Sequence, residues 1–185
     1  MASKSMDAVA LLKADHRKVE DLFDKFEKAH ESERKKSLVE QICTELCVHM
    51  TLEEEIFYPA CQAEVEDKDV VEESYVEHDG AKVLVAELME SVPDDEFYAA
   101  KVSVLSEEIR HHVREEEKRG EGLFAQARKA GLDLDALGER LMARKQELME
   151  QIESQGLPTM QTRSFTGHRL EQGKPVHGRA RAAAD

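Results

Sequence analysis

The sequence predicts an all-α protein, an up-down-up-down antiparallel four-helix bundle with an additional C-terminal helix and a flexible tail. Three observations carry this. Apolar residues recur at i, i+3, i+4 and i+7 through four segments of about 20–25 residues, the period of helices with one buried face. The links between these segments are short and polar, which makes consecutive helices antiparallel neighbours. Aromatics are 5% of 185 residues, Trp is absent and 36% of residues are charged, a composition suited to long solvated helices rather than a sheet. The expected organisation is a bundle over 1–130, the extra helix over 131–155 and a basic tail over 156–185.

The first helix is expected over Met6–His30, with Val9, Leu12, His16, Val19, Phe23 and Phe26 on one stripe. Ser32 is offered as the N-cap of the second, whose apolar side carries Leu38, Val39, Ile42, Leu46, His49, Glu53, Ile56 and Ala60. Pro59 should kink or end it, because proline lacks an N–H and its ring clashes with the preceding turn. The third helix spans about Val70–Glu90, with Val71, Tyr75, His78, Lys82, Val85, Leu88 and Met89 in its stripe. After the restart at Pro93-Asp94-Asp95, the fourth aligns Tyr98, Val102, Leu105, Ile109, His112 and Glu116, and Gly120 and Gly122 interrupt it. A fifth helix from Asp133 to about Ile152 has a narrower edge of Leu134, Leu137, Leu141, Leu148 and Ile152, available to the bundle or to a homodimer or protein partner. The tail carries five Lys or Arg against two acids, a charge contrast that would let it touch its own bundle or a partner, although a flexible tail is the expectation.

A formal net charge of −14 argues against nucleic acid as a partner, since binding there relies on Lys and Arg at phosphates. The N-terminal apolar run is too short for a signal-peptide core or a spanning helix, so no membrane association and a cytoplasmic location are expected. Cys43, Cys47 and Cys61 do not make a disulfide framework and read as reduced thiols. Cys43 and Cys47 lie roughly 100–140° round the helix from His49 and Glu53, so they face elsewhere.

His49 and Glu53 are four residues apart on one helix and point the same way, the geometry of half a metal site. The spacing returns at His112 and Glu116, while His16 and His78 sit within the stripes of their own helices. Periodicity selects among crowded neighbours: Glu54 lies about 100° round from Glu53, and His111 roughly 140° from the inward direction that His112 shares. Six inward polar groups result: His16, His49, Glu53, His78, His112 and Glu116. Burying two carboxylates and four imidazoles is very costly unless something cancels the charge and takes the lone pairs. A pair of metal ions does both, with the two Glu as bridges, two His on each ion and positions left for a small ligand. A ferritin-type arrangement fails, because the Glu-x-x-His pair Glu108 with His111 faces outward. The His-Glu-x-x-His zinc motif and a glycine-rich phosphate loop are absent.

Four blocks, ADHRKVEDLF, HMTLEEEIFYPA, EHDGAKVLVAEL and HHVREEE followed by LFAQAR, resemble the hemerythrin-like, or HHE cation-binding, family in order and spacing from Ala10 to about Arg128. The resemblance implies a four-helix bundle holding two iron ions bridged by carboxylates and an oxo or hydroxo group, with His16, His49, Glu53, His78, His112 and Glu116 as ligands. The activities it implies range from oxygen binding to sensing or iron handling. Lys82 stands where oxygen-carrying hemerythrins have a fifth histidine, which weakens oxygen transport and suggests a vacancy there. Tyr75, one turn before His78, is a candidate to fill it or to support a ligand from behind. The expected function is binding of, or reaction with, a small ligand such as O2, NO or peroxide. A peroxide-decomposing enzyme and a non-catalytic iron-responsive interaction module stand as alternatives.

Overall fold

The computed structural model describes residues 6–166, and all regular structure within them is helical. Helices α1 (Ala8–Lys28) and α2 (Ser32–Leu52) are followed by a π-helical turn at Glu53–Phe57 and by α3 (Tyr58–Glu64). After these come α4 (Asp69–Met89), α5 (Tyr98–Glu116), α6 (Leu123–Lys129) and α7 (Leu134–Gln155). The bundle is a ring in which α1 packs on α2, α2 on α4, α4 on α5 and α5 back on α1. No helix among the described residues is long and apolar enough to cross a membrane.

Asp7 caps α1, its carboxylate accepting from the Ala10 N–H at 2.8 Å. The expected cap at Ser32 is not made: Glu31 holds that position without a side-chain bond, and the Ser32 hydroxyl lies 3.5 Å from Asp94. Pro59 does not end the second helix either. A regular turn would press its ring against the Glu55 carbonyl. Instead the turn before it is widened, with the Tyr58 N–H donating to the carbonyl of Glu53, five residues back, and the chain continues with Pro59 in the first turn of α3.

Helix α7 lies against α1, α2 and the π turn, burying Leu134, Leu137, Leu141 and Leu148. Its apolar edge, offered equally to the bundle or a partner, is therefore used within the chain. Gly138 permits this closeness, because a Cβ there would collide with the Met6 carbonyl oxygen and the Ala8 nitrogen. Residues 157–164, expected to belong to a flexible tail, fold back: Leu157 and Met160 pack on the core, and Arg163 and Ser164 bond to Asp79. The rest of that expected tail, 167–185, lies outside the described residues.

The buried apolar residues form two clusters. One gathers Leu12, Leu52, Phe57, Leu123, Phe124 and Leu141, and the other Phe23, Leu38, Ile42, Leu46, Leu105 and Val113. Gly138→Ala should lower stability by roughly 1–3 kcal/mol, through forced separation of α7 from α1, in urea unfolding. An unchanged midpoint would show that α7 is not held this tightly.

Candidate metal centre

Six polar side chains meet in the polar layer of the bundle: His16 from α1, His49 from α2, Glu53 from the π turn, His78 from α4, and His112 and Glu116 from α5. None is more than 4% exposed. Their i, i+4 placements hold His49 Nε2 3.1 Å from Glu53 Oε2, and His112 Nε2 3.5 Å from Glu116 Oε2. Across the bundle, His16 Nε2 lies 3.1 Å from His49 Nε2, and His78 Nε2 lies 3.3 Å from His112 Nε2. Glu53 Oε2 also lies 3.3 Å from His78 Nε2. Ligand-type atoms of His16, His49, Glu53 and Glu116 fall within 4.8 Å of one another, as do those of Glu53, His78 and His112. Of the residues rejected by periodicity, His111 is exposed, whereas Glu54 is buried behind the inner set against His78 Nδ1; its neighbour Glu55 pairs with Arg144 at 2.8 Å.

Three of the four imidazoles are gripped from behind. His16 Nδ1 meets Glu117 at 2.9 Å, His78 Nδ1 meets Glu54 at 3.1 Å, and His112 Nδ1 meets Glu77 at 2.7 Å. A carboxylate on Nδ1 fixes the tautomer and leaves the Nε2 lone pair facing inward, the arrangement that supports metal-ligating histidine.

Tyr75, the expected helper, packs its ring on Tyr58 at 5.1 Å and is half-buried, with Arg163 over it. The central hydroxyl belongs to Tyr58, which lies 3.1 Å from Glu53 Oε2, 3.0 Å from Glu116 Oε1 and 3.1 Å from His78 Nε2. On a regular helix Tyr58 would point about 140° from Glu53. The π turn brings the two together. Proline just after a glutamate run, with a tyrosine before it, was the available signal. The Lys82 ammonium is engaged by Glu54 at 2.7 Å and Asp79 at 3.0 Å. Glu54 also accepts from Arg163 Nε at 2.8 Å, and Asp79 accepts from the backbone N–H groups of Arg163 and Ser164. Lys82, Glu54, Asp79 and the folded-back segment thus brace His78.

Burial holds the His16 imidazole down at about 4, so it is a neutral lone-pair donor at neutral pH. Burial also works to raise both inner carboxyls, but the neighbouring His49 holds Glu53 well below its usual range. Glu116 is pushed well above its range by burial and by the charge of Glu53. Glu53 Oε1 and Glu116 Oε2 have no hydrogen-bond partner although fully buried. Such orphaned acceptors are costly, and inward imidazole lone pairs beside them make a donor set that fits divalent or trivalent cations. A cavity of about 10 Å³ adjoins His16 and His49 and is walled by Val19, Leu46, Ile109 and Val113, room for about one water.

Although burial opposes it, hydrogen bonds from Ser164, Lys82 and Arg163 hold Asp79 down at about 2. Its folded value lies below the unfolded one, so the stabilisation is complete above about pH 4 and is lost as pH falls toward 2. Metal-free Asp79→Asn should therefore be less stable than the parent chain at pH 5, with the difference shrinking toward pH 2 in urea unfolding across a pH series.

A family model for the Hemerythrin HHE cation binding domain matches residues 7–123, a span that includes all six inward residues. Among curated proteins, the chain is 27% identical over 125 residues to a DNA nickase of Nostoc sp. (strain PCC 7120). That match takes 68% of this chain and 34% of the nickase, so the chain spans about a third of that relative's length. Among solved structures, the fold is similar to that of a Hemerythrin HHE cation binding domain-containing protein from Mycobacterium kansasii, an Rv2633c homolog. The TM-score is 0.68 at 21% identity, over 81% of this chain and 94% of that one. With its helices, inward histidines and glutamates and the matched span in agreement, this chain belongs to the Hemerythrin HHE cation binding domain family.

Proposed function

We propose that the chain is a cytoplasmic non-haem di-iron protein that binds or reacts with a small ligand, O2, NO or peroxide. The observation that supports this most is the inward convergence of four Nε2 atoms and two glutamates, with three imidazoles fixed from outside by carboxylates. His16 and His49 would hold one ion and His78 and His112 the other, with Glu53 and Glu116 between them. A mixed imidazole and carboxylate set suits iron, which when bound supplies one-electron exchange with the ligand.

The chain's own groups set the conditions. Val19, Leu46, Ile109 and Val113 limit the adjoining space to a ligand of few atoms and keep bulk water out. Metal binding displaces protons from its ligands, so Glu116, whose carboxyl is held high, would release one on loading. The Tyr58 hydroxyl, within 3.1 Å of both carboxylates, holds a proton beside the donors. That proton favours a second reading, decomposition of peroxide, because heterolytic O–O cleavage is eased by a proton given to the departing oxygen. Reversible oxygen carriage fits less well, since Lys82 braces Glu54 and Asp79 where a fifth histidine would stand.

Purified protein should carry about two iron atoms per chain and show an optical spectrum that differs between reduced and air-exposed forms and shifts with azide. Iron content should fall by at least about half in His78→Ala or Glu116→Ala. Protein without stoichiometric iron, or variants that keep it all, would contradict the di-iron reading. Oxygen evolution from peroxide that vanishes in Glu53→Ala would select the enzyme over the binding protein.

A further inference from the structure

The two apolar clusters and the enclosed space beside His16 leave a hydrated cation no polar way in from those sides. A solvent-open cavity of about 530 Å³, between α4 and the turn that joins α5 to α6, is different in kind. Exposed Glu64, Asp67, Glu73 and Glu115 line its outer part, and half-buried Glu77 and fully buried Glu116 its inner part. The two lysines on its wall leave it acidic, because Lys118 is held by Glu121 at 2.8 Å and Lys129 lies 3.6 Å from Glu66.

Its inner end is more than an acidic cluster. Glu116 is 1% exposed, its Oε2 has no hydrogen-bond partner, and it belongs to the inward donor set. Glu77 touches His112 Nδ1 at 2.7 Å while its own side chain stays 31% exposed. Carboxylates therefore run from solvent to the donors with falling exposure, the sequence of partners that a cation needs as its water is replaced by protein oxygen. The α5–α6 turn stays tight against this path, because a Cβ on Gly122 would meet the carbonyl oxygens of Glu115 and Glu116.

We infer that this acidic cavity is the uptake path for a divalent cation, ferrous iron in the first instance, delivering it past Glu77 and Glu116 to the inward histidines. This rests on the di-iron reading. A cleft lined by one sign of charge in low-dielectric walls concentrates counter-ions and raises their association rate, an effect that salt screens.

The test is anaerobic stopped-flow mixing of metal-free full-length chain with Fe(II) at a series of NaCl concentrations. Uptake by the parent should slow as salt rises. The triple variant Glu64→Gln, Glu73→Gln, Glu115→Gln should take up iron about tenfold more slowly at low salt, with a flatter salt dependence and the same final iron content. A parent rate indifferent to salt, or a variant as fast as the parent, overturns the path. So does an equal slowing by Glu31→Gln, Glu33→Gln, Glu40→Gln, at the N-cap and in the N-terminal half of α2, which would trace the effect to overall charge. Lower final content at an unchanged rate also overturns it, since the carboxylates would then be holding iron rather than passing it. A parent chain that takes up no iron at all removes the di-iron reading itself.

Discussion

Everything in this molecule turns on placing two carboxylates and four imidazoles where water cannot reach them. Left alone, such a layer would weaken the bundle, because buried charge without full compensation is unfavourable. The chain divides the work. Between the apolar clusters, inner groups neutralise one another in part, with Glu53 charged against His49 and the Tyr58 hydroxyl set between the glutamates. What remains uncompensated, an oxygen on each glutamate, is what a cation satisfies.

The outer ring gives that inner layer its direction. Glu117, Glu54 and Glu77 each hold one histidine by Nδ1, and each is in turn held or exposed in its own way. Arg17 lies 2.5 Å from Glu117, Lys82 and Arg163 bind Glu54, and Glu77 borders open water. The histidine on α4 thus has the deepest support, reaching through Glu54 and Asp79 to residues 163 and 164 beyond the last helix. The fourth imidazole, His49, has no Nδ1 partner and depends on Glu53 and its helix for orientation.

Most of the fold and the six inward residues were legible because both follow from one rule, the 100° step of a regular helix. Where that step holds, it separated Glu53 from Glu54 and His112 from His111. It failed where the backbone leaves the rule. Tyr58 was invisible because its direction depends on a widened turn, which depends on the collision between Pro59 and a carbonyl. Tyr75 was read as a neighbour of the centre from its stripe and Lys82 from the family resemblance, but a place along a helix gives a direction and not a reach. The Lys82 ammonium goes instead to Glu54 and to Asp79, one turn back on its own helix. The return of residues 157–164 had no periodic signal, since it is held by two isolated apolar contacts, Leu157 and Met160, and by polar bonds from Arg163 and Ser164 to Glu54 and Asp79 rather than by the apolar face of a helix.

The widened turn at Glu53–Phe57 also has a meaning in the register of the chain. It accommodates one residue more than a regular helix would, so the position of the central hydroxyl is recorded in chain length as much as in composition. Tyr58 stands five residues after Glu53, about 140° round a regular helix, and the extra residue of the widened turn is what brings its hydroxyl back to the glutamate. A chain with a regular turn here would reach the same place with a tyrosine four residues after the glutamate, about 40° round. In sequence comparison within the family, a one-residue gap at this place would move the phenol along the chain and keep it between the carboxylates.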